Sequence, residues 1–275
     1  MIFNKLLKVK RLIIINGVTG AIGSACLALF SRDPKNTIYG ISRRGANYKQ
    51  FLDNKSQLSD STLICSIGKN ILKGFLSFLC KINFSIYSEV IYIHAIGLYP
   101  FEINTNGKIK VKNDYDGDGI NDQCLKLTHN LFLSTINSIA KRATKTQGII
   151  LGGIADKHEP LIHQSWWKTI KKTKEASRGL VTHQNKLGIT LLNISSVICP
   201  NELITRPFVF AETNANPTFW LTPNEVAEEI IRLTLENHEG FSECELFHHA
   251  DYYHQNYFTD KQFTTRKKQE LGIKK

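Results

Sequence analysis

Three groups of residues in this chain have types and spacings that could do chemistry. The first is a glycine series. In RLIIINGVTGAIG (Arg11 to Gly23) an apolar run, Leu12 to Ile15, is followed by Gly17, Gly20 and Gly23, and then by SACLALFS at helical spacing. Glycines at a strand-to-helix turn let the backbone bend tightly and come close to a pyrophosphate. The helix behind them aims free N–H groups and the positive end of its dipole at that phosphate. The spacing G-x-x-G-x-x-G also suits an ordinary strand–turn–helix. Nucleotide binding is favoured by the strand before it, the helix after it and a second strand arriving at Asn36–Ser42. Thr19 and Ile22 belong to the same candidate loop. Where the second strand ends, an acidic residue would accept hydrogen bonds from a ribose 2′-OH. Ser42, Arg43 and Arg44 stand there instead. A guanidinium beside a hydroxyl suits a 2′-phosphate, which predicts NADP(H) in preference to NAD(H).

The second group is acidic. In the long piece Leu98 to Thr128, the stretch KIKVK alternates like an edge strand blunted by lysine, and NDYDGDGINDQC follows it. Asp114, Asp116, Asp118 and Asp122 fall at positions one, three, five and nine of a calcium loop, with Gly119 at the sharp turn. Position twelve is Leu125 rather than a bidentate glutamate. Asp/Gly hairpin turns produce the same composition, because these residues tolerate positive φ and bond their own backbone. Ca2+ is therefore a secondary expectation. The third group is Asp156, His158, Glu159 and His163, on the loop after the fifth strand. A histidine at that mouth could act as a general acid near neutral pH. His248, His249 and His254 lie among aromatics near the C-terminal end, where packing or a subunit contact is expected rather than a metal.

The elements that must position these groups come from hydrophobic periodicity. Unbroken β-branched runs mark strands covered on both faces. They are expected at 12–15, 36–42, 61–67, 88–97, 148–156, 188–200 and 243–249. Helical spacing recurs at 70–82, 131–143, about 166–183 and 224–237, the last opened by Thr222-Pro223. This alternation predicts an α/β fold: a doubly wound, Rossmann-type parallel sheet of seven strands, with helices on both faces and ligand at the carboxyl ends. Residues 1–275 are read as one domain, with an insert at about 98–128.

Six dispersed cysteines without a C-x-x-C pair suit reduced thiols, and no stretch reaches the length of a transmembrane helix. A cytoplasmic protein is expected, with no membrane partner. The net charge of +11 comes from scattered lysines without a nucleic-acid motif, so a small-molecule partner is expected rather than a nucleic acid.

At this point the chain resembles the short-chain dehydrogenases/reductases, from roughly Lys10 to Ala250. NGVTGAIG is similar to that family's glycine loop. HAIG (His94 to Gly97) is similar to its N-A-G element, and SSVICPNELITRP to the segment after its sixth strand. The resemblance implies that Gly17, Gly20, Gly23, Arg43, Ala95 and Gly97 line a dinucleotide, and that a homo-oligomer could form. It also implies tyrosine acid–base chemistry, with a lysine four residues after the tyrosine and a nearby serine. The helix HQSWWKTIKKTKEASRGLV carries no Y-x-x-x-K. In one register Lys174 is the lysine, and Ile170 stands for the tyrosine; in the other Lys171 pairs with Trp167. Neither isoleucine nor indole offers a usable acid–base group. No hydroxyl follows the fifth strand before Ser165, and Asn130 could stand for the family's supporting asparagine. The resemblance thus implies an atypical oxidoreductase working with NADP(H) on a carbonyl or hydroxyl substrate, with Lys174 and Asn130 as catalytic candidates and Lys174 also at the cofactor. The alternative is an inactive dinucleotide-binding homologue that serves as a redox sensor or scaffold.

Overall fold

The β-branched runs become strands. The computed structural model describes residues 10–42, 62–66, 71–96, 101–103, 109–111, 113–153, 164–195, 197, 221–236 and 238–247. The strands are β1 (Arg11–Asn16), β2 (Asn36–Ser42), β3 (Thr62–Ser66), β4 (Glu89–His94), β5 (Phe101–Ile103), β6 (Ile109–Val111), β7 (Thr146–Gly153), β8 (Leu187–Ile194) and β9 (Gly240–Leu246). One sheet has the order β3-β2-β1-β4-β7-β8-β9, with every pairing parallel; β5 and β6 form a separate antiparallel pair in the insert. The alternating KIKVK segment is thus a strand, Ile109–Val111, paired with Phe101–Ile103.

Side chains alternate between two cores, as the period of a strand requires. Ile13, Ile15, Ile91 and Ile93 pack under α1 (Ala21–Phe30), while Leu12, Ile14, Val90 and Tyr92 pack under α2 (Ile71–Cys80) and α3 (Leu131–Ala140). A short turn, Asp122–Cys124, and a π-helical turn, Leu125–Asn130, lead into α3 without a break. The α3 side also holds Trp166 and Ile170 of α4 (Gln164–Thr182); the α1 side holds Val226, Ala227 and Ile230 of α5 (Pro223–Glu236). Helices therefore cover both faces.

Local chemistry sets the boundaries. Thr222 and Glu225 form a capping box: the Glu225 carboxylate accepts from the Thr222 N–H at 2.7 Å, and the Glu225 N–H donates to the Thr222 hydroxyl at 3.2 Å. Arg11 donates to Asp33 at 2.9 Å and to Asn36 at 3.2 Å, which ties the start of β1 to the turn before β2. The strand β4 ends at His94, short of the limit the hydrophobic run suggests, and β7 is described from Thr146 to Gly153. The last strand begins at Gly240 rather than Glu243, because β9 joins β8 from the pair Gly188↔Gly240 onward. A Cβ at Gly188 would lie 2.0 Å from the His238 carbonyl oxygen, so a bare glycine lets the chain cross there into the sheet.

Ile13 on the interior strand β1 is fully buried. Ile13→Ala should cost about 2–5 kcal/mol of unfolding free energy in urea titration, with an unchanged denaturant slope.

Candidate functional site

The strand order reverses on either side of β1: β2 and β3 lie to one side, β4 and its successors to the other. In open α/β sheets such a switch point opens a crevice at the carboxyl ends of the strands. The glycine loop lies at that point. Gly17 has φ +88°, a left-handed value that suits glycine. Its N–H and that of Val18 donate to the Ile41 carbonyl of β2 at 3.1 and 3.2 Å. The Gly17 carbonyl accepts from the Gly20 N–H at 2.9 Å, which closes the turn.

Side chains are excluded from this crossing. A Cβ at Gly23 would come within 2.2 Å of the Gly17 oxygen, and one at Gly17 within 2.7 Å of the Ala95 oxygen. Gly20 is the N-cap of α1, extended, with no side-chain cap on the helix's first N–H groups and no acidic residue in its first turn. Thr19 and Gly20 are exposed, and Ile22 is half-buried. These features fit a phosphate: a bare backbone surface, a positive helix end, and no carboxylate in the first turn of α1. Ser42, at the end of β2, lies beside the loop, its hydroxyl 3.4 Å from that of Thr19. Ala95 is half-buried, and its N–H donates to the Asn16 carbonyl at 2.9 Å. The structure thus brings Gly17, Thr19, Gly20, Ile22, Gly23, Ser42 and Ala95 to one crevice. Arg43 and Gly97 lie outside the described residues, as do Asp156, His158, Glu159, His163 and the C-terminal histidines.

Of the catalytic candidates, Lys174 lies in α4 and Asn130 at the end of the π turn. Lys174 forms an ion pair at 2.5 Å with Glu243 of β9, three strands away from β4. Asn193 Nδ2 donates to the same carboxylate at 3.0 Å, and Arg178 lies 3.9 Å from it. Burial raises the Glu243 pKa, but these donors and cations outweigh it and hold the group below its ordinary value. Asn130 is exposed, at the end of the π turn. Ile170 is fully buried in the core. In the other register Trp167 is half-buried, and the Lys171 ammonium lies 5.3 Å from the centre of its ring. One Y-x-x-x-K does occur in the chain, Tyr257 to Lys261, but it follows β9 and is outside the described residues.

No local pattern in the insert signals how it is anchored. The Asn121 N–H donates to Ser165 Oγ at 2.8 Å, and Lys168 Nζ donates to the Asp118 carbonyl at 2.7 Å. The acidic loop is therefore tied to the first turns of α4. The carboxylates of Asp114, Asp116 and Asp118 converge within 4.8 Å. Each also accepts backbone N–H groups of the loop itself: Asp114 from Gly117 and Gly119, Asp116 from Asp118, and Asp118 from Ile120.

Beneath the crevice, at the end of β4, lies His94. Burial lowers its pKa from the ordinary 6.5 to about 3, against a smaller opposing effect of the Leu127 carbonyl. The folded protein therefore refuses a proton that the unfolded chain accepts. Its contribution to stability is complete above about pH 6.5 and is lost as the pH falls from there toward 3.

No protein-family model matches the chain, and no curated protein matches it in sequence. Solved structures match in fold. A "short chain dehydrogenase/reductase family protein" superposes with a TM-score of 0.64 at 13% identity, covering 87% of this chain and 97% of the other. "4-hydroxyisoleucine dehydrogenase complexed with NADH" gives 0.65 at 12% identity, covering 86% and 97%. The closed form of serine dehydrogenase complexed with NADP+ gives 0.62 at 15% identity, covering 86% and 94%. The chain shares the Rossmann-type fold of these dehydrogenases. Among the described residues no helix is long and apolar enough to cross a membrane.

Two outcomes follow from this geometry. Gly23→Ala should destabilise the protein by about 1–3 kcal/mol, because its Cβ meets backbone; Gly20→Ala, 3.3 Å from the Gly17 oxygen, should cost less than about 1 kcal/mol. Urea titration at both positions checks this. Between pH 6.5 and 4, His94 should contribute a loss of up to about 1.4 kcal/mol per pH unit, and His94→Gln should remove that part of the acid slope.

Proposed function

We propose that the chain binds a nicotinamide dinucleotide, NADP(H) in preference to NAD(H), and is an atypical oxidoreductase of the short-chain dehydrogenase/reductase type acting on a small carbonyl or hydroxyl compound. The observation that carries this reading is the glycine loop at the switch point, where Gly17, Gly23 and Ala95 meet backbone to backbone below the uncapped start of α1. Support for the cofactor class comes from fold neighbours that are complexed with NADH and with NADP+. The preference for NADP(H) rests on Ser42 at the end of β2 and on Arg43 next to it in sequence. Gly17, Thr19, Gly20, Ile22, Gly23, Ser42, Arg43, Ala95 and Gly97 are the proposed cofactor residues. When bound, the nicotinamide would donate or accept a hydride at the substrate carbon.

Lys174 and Asn130 remain the catalytic candidates of this reading; Lys174 would have to exchange Glu243 for a ligand. The second reading is a dinucleotide-binding protein without turnover. It is favoured by the burial of Ile170 and by the Lys174–Glu243 pair, which together occupy the places of the usual proton relay in one register. The acidic loop is proposed as a Ca2+ site of secondary importance, on the convergence of three carboxylates.

Titration with NADPH and NADH, followed by calorimetry and tryptophan fluorescence, tests the cofactor reading. NADPH should bind at least about tenfold more tightly than NADH, and Arg43→Ala should bring the two together. Binding of neither overturns the oxidoreductase reading. With binding established, NADPH oxidation over a panel of carbonyl compounds separates the two readings. A Ca2+-dependent rise in Tm, abolished by Asp114→Asn, checks the loop.

A further inference from the structure

The loop from Asn113 to Asn121 braces itself. The Asp114 carboxylate accepts the N–H groups of Gly117 and Gly119 at 2.9 and 3.0 Å, and that of Asp118 accepts the Ile120 N–H at 2.7 Å. The Asp122 N–H donates to the Asn113 carbonyl at 3.1 Å, and the Asp122 carboxylate accepts the Tyr115 N–H at 3.2 Å, which closes the loop on itself. A loop held by its own bonds keeps its shape and can move as one body.

Two hydrogen bonds clamp this loop to α4. Lys168 Nζ donates to the Asp118 carbonyl at 2.7 Å, and the Asn121 N–H donates to Ser165 Oγ at 2.8 Å. Ser165 and Lys168 are three apart, so they stand one turn apart on one face of the helix, and the loop meets them in reverse order. The ammonium bonds a main-chain carbonyl and rests against Gly119, where a Cβ would lie 2.5 Å from Nζ. Lys168 is half-buried, whereas Ile120 and Asn121 at the foot of the loop are buried. The clamp stands at the rim of the crevice. β4 ends beside the glycine loop, with Ile96 Cγ1 3.0 Å from where a Gly17 Cβ would be, and the insert begins two residues further on. α4 follows β7, the neighbour of β4, so its first turns lie on the carboxyl side of the sheet, where the crevice opens.

We propose that residues 113–121 are a latch: a self-braced cap that closes the α4 side of the crevice by clamping on Lys168 and Ser165, and whose release lets the dinucleotide enter and leave. This rests on the dinucleotide reading above. The lysine suits a bond that must break, because a compact ammonium on a flexible stem exchanges one carbonyl for water readily. Lys168 and Ser165 are positioning residues here. They touch no cofactor, so they set how often the crevice is open and leave its fit to the dinucleotide unchanged.

Stopped-flow NADPH binding and amide hydrogen exchange on the full chain test the latch. In Lys168→Met, which keeps the stem and removes the donor, association and dissociation of NADPH should both quicken about three- to tenfold, with Kd unchanged within about twofold. Lys168→Arg keeps a charged donor and should restore most of the wild-type rates. The Asn121 amide should exchange about tenfold faster in Lys168→Met, while the amide shifts of Gly117 and Gly119 stay in place. Ser165→Ala should quicken NADPH exchange in the same way, and it serves if Lys168→Met does not fold. If NADPH binds the wild type and both folded variants at equal rates, or if Kd rises with an unchanged association rate, the latch is overturned and the cofactor reading stands. Loss of the Gly117 and Gly119 shifts together with Asn121 protection marks a loop that unfolds instead of moving as one body, and it too overturns the latch. A wild type that binds neither NADPH nor NADH overturns both readings together.

Discussion

The constraint on which this structure depends is the crossing of bare backbone at the end of β1. The Gly17 turn lies between the Ala95 carbonyl on one side and the first turn of α1 on the other. A single methyl group at Gly17 or Gly23 would collide with main-chain oxygen, which has no rotamer to retreat into. Everything near the crevice takes its place from this crossing. β2 contributes the Ile41 carbonyl that holds Gly17 and Val18; Gly40 lets Val18 pack at 3.0 Å from where a Cβ would stand. The start of α1 is left uncapped toward the crevice.

Polar burial is concentrated on the α3–α4 face of the same region. Neutral groups that share hydrogens can be buried at little net cost, whereas an isolated charge cannot. Asn16, Tyr92 and His94 follow the first course, and burial drives Tyr92 and His94 away from ionisation in opposite directions. Lys174 and Glu243 follow the other course. They form an ion pair, partly exposed near strand β9, and Glu243 gains Asn193 and Arg178 as further partners. The helix α4 therefore serves two ends: its first turns hold the insert through Ser165 and Lys168, and Lys174 and Arg178 reach the sheet edge.

Much of the scaffold was legible because its signals are local. A β-branched run, a glycine series and a Thr-Pro-x-Glu start each carry their meaning within a few residues. So does the spacing of Tyr92 and His94: polar residues two apart in an otherwise apolar strand must share one face, and a buried face requires them to find partners. What could not be read was pairing across the fold. Nothing near Lys174 in sequence announces Glu243, which reaches it only because β9 adds to the edge of β8. Nor does LKLTHN differ in composition from an ordinary helical turn, although it forms a π turn. The acidic stretch was ambiguous for a physical reason: the groups that would ligate a cation are also those that bond a tight turn's own N–H groups, and here they do so.

The pairing of Lys174 bears on which of the two functional readings the fold can accommodate. An ammonium that lowers a neighbour's pKa must bring its field to that neighbour, and a carboxylate at 2.5 Å cancels most of that field a few ångströms away. In the register that makes Ile170 the neighbour, there is no proton to influence and no solvent path to it, since Ile170 is sealed in the core. Lys171 and Trp167 stand differently. Lys171 is exposed, its ammonium over a half-buried indole. An indole cannot pass a proton on, yet its N–H can donate a hydrogen bond, and a cation over the ring strengthens that donor. If hydride transfer occurs in this crevice, then the proton must come from a group other than Ile170, which is sealed in the core, or Trp167, whose Nε1 is itself buried.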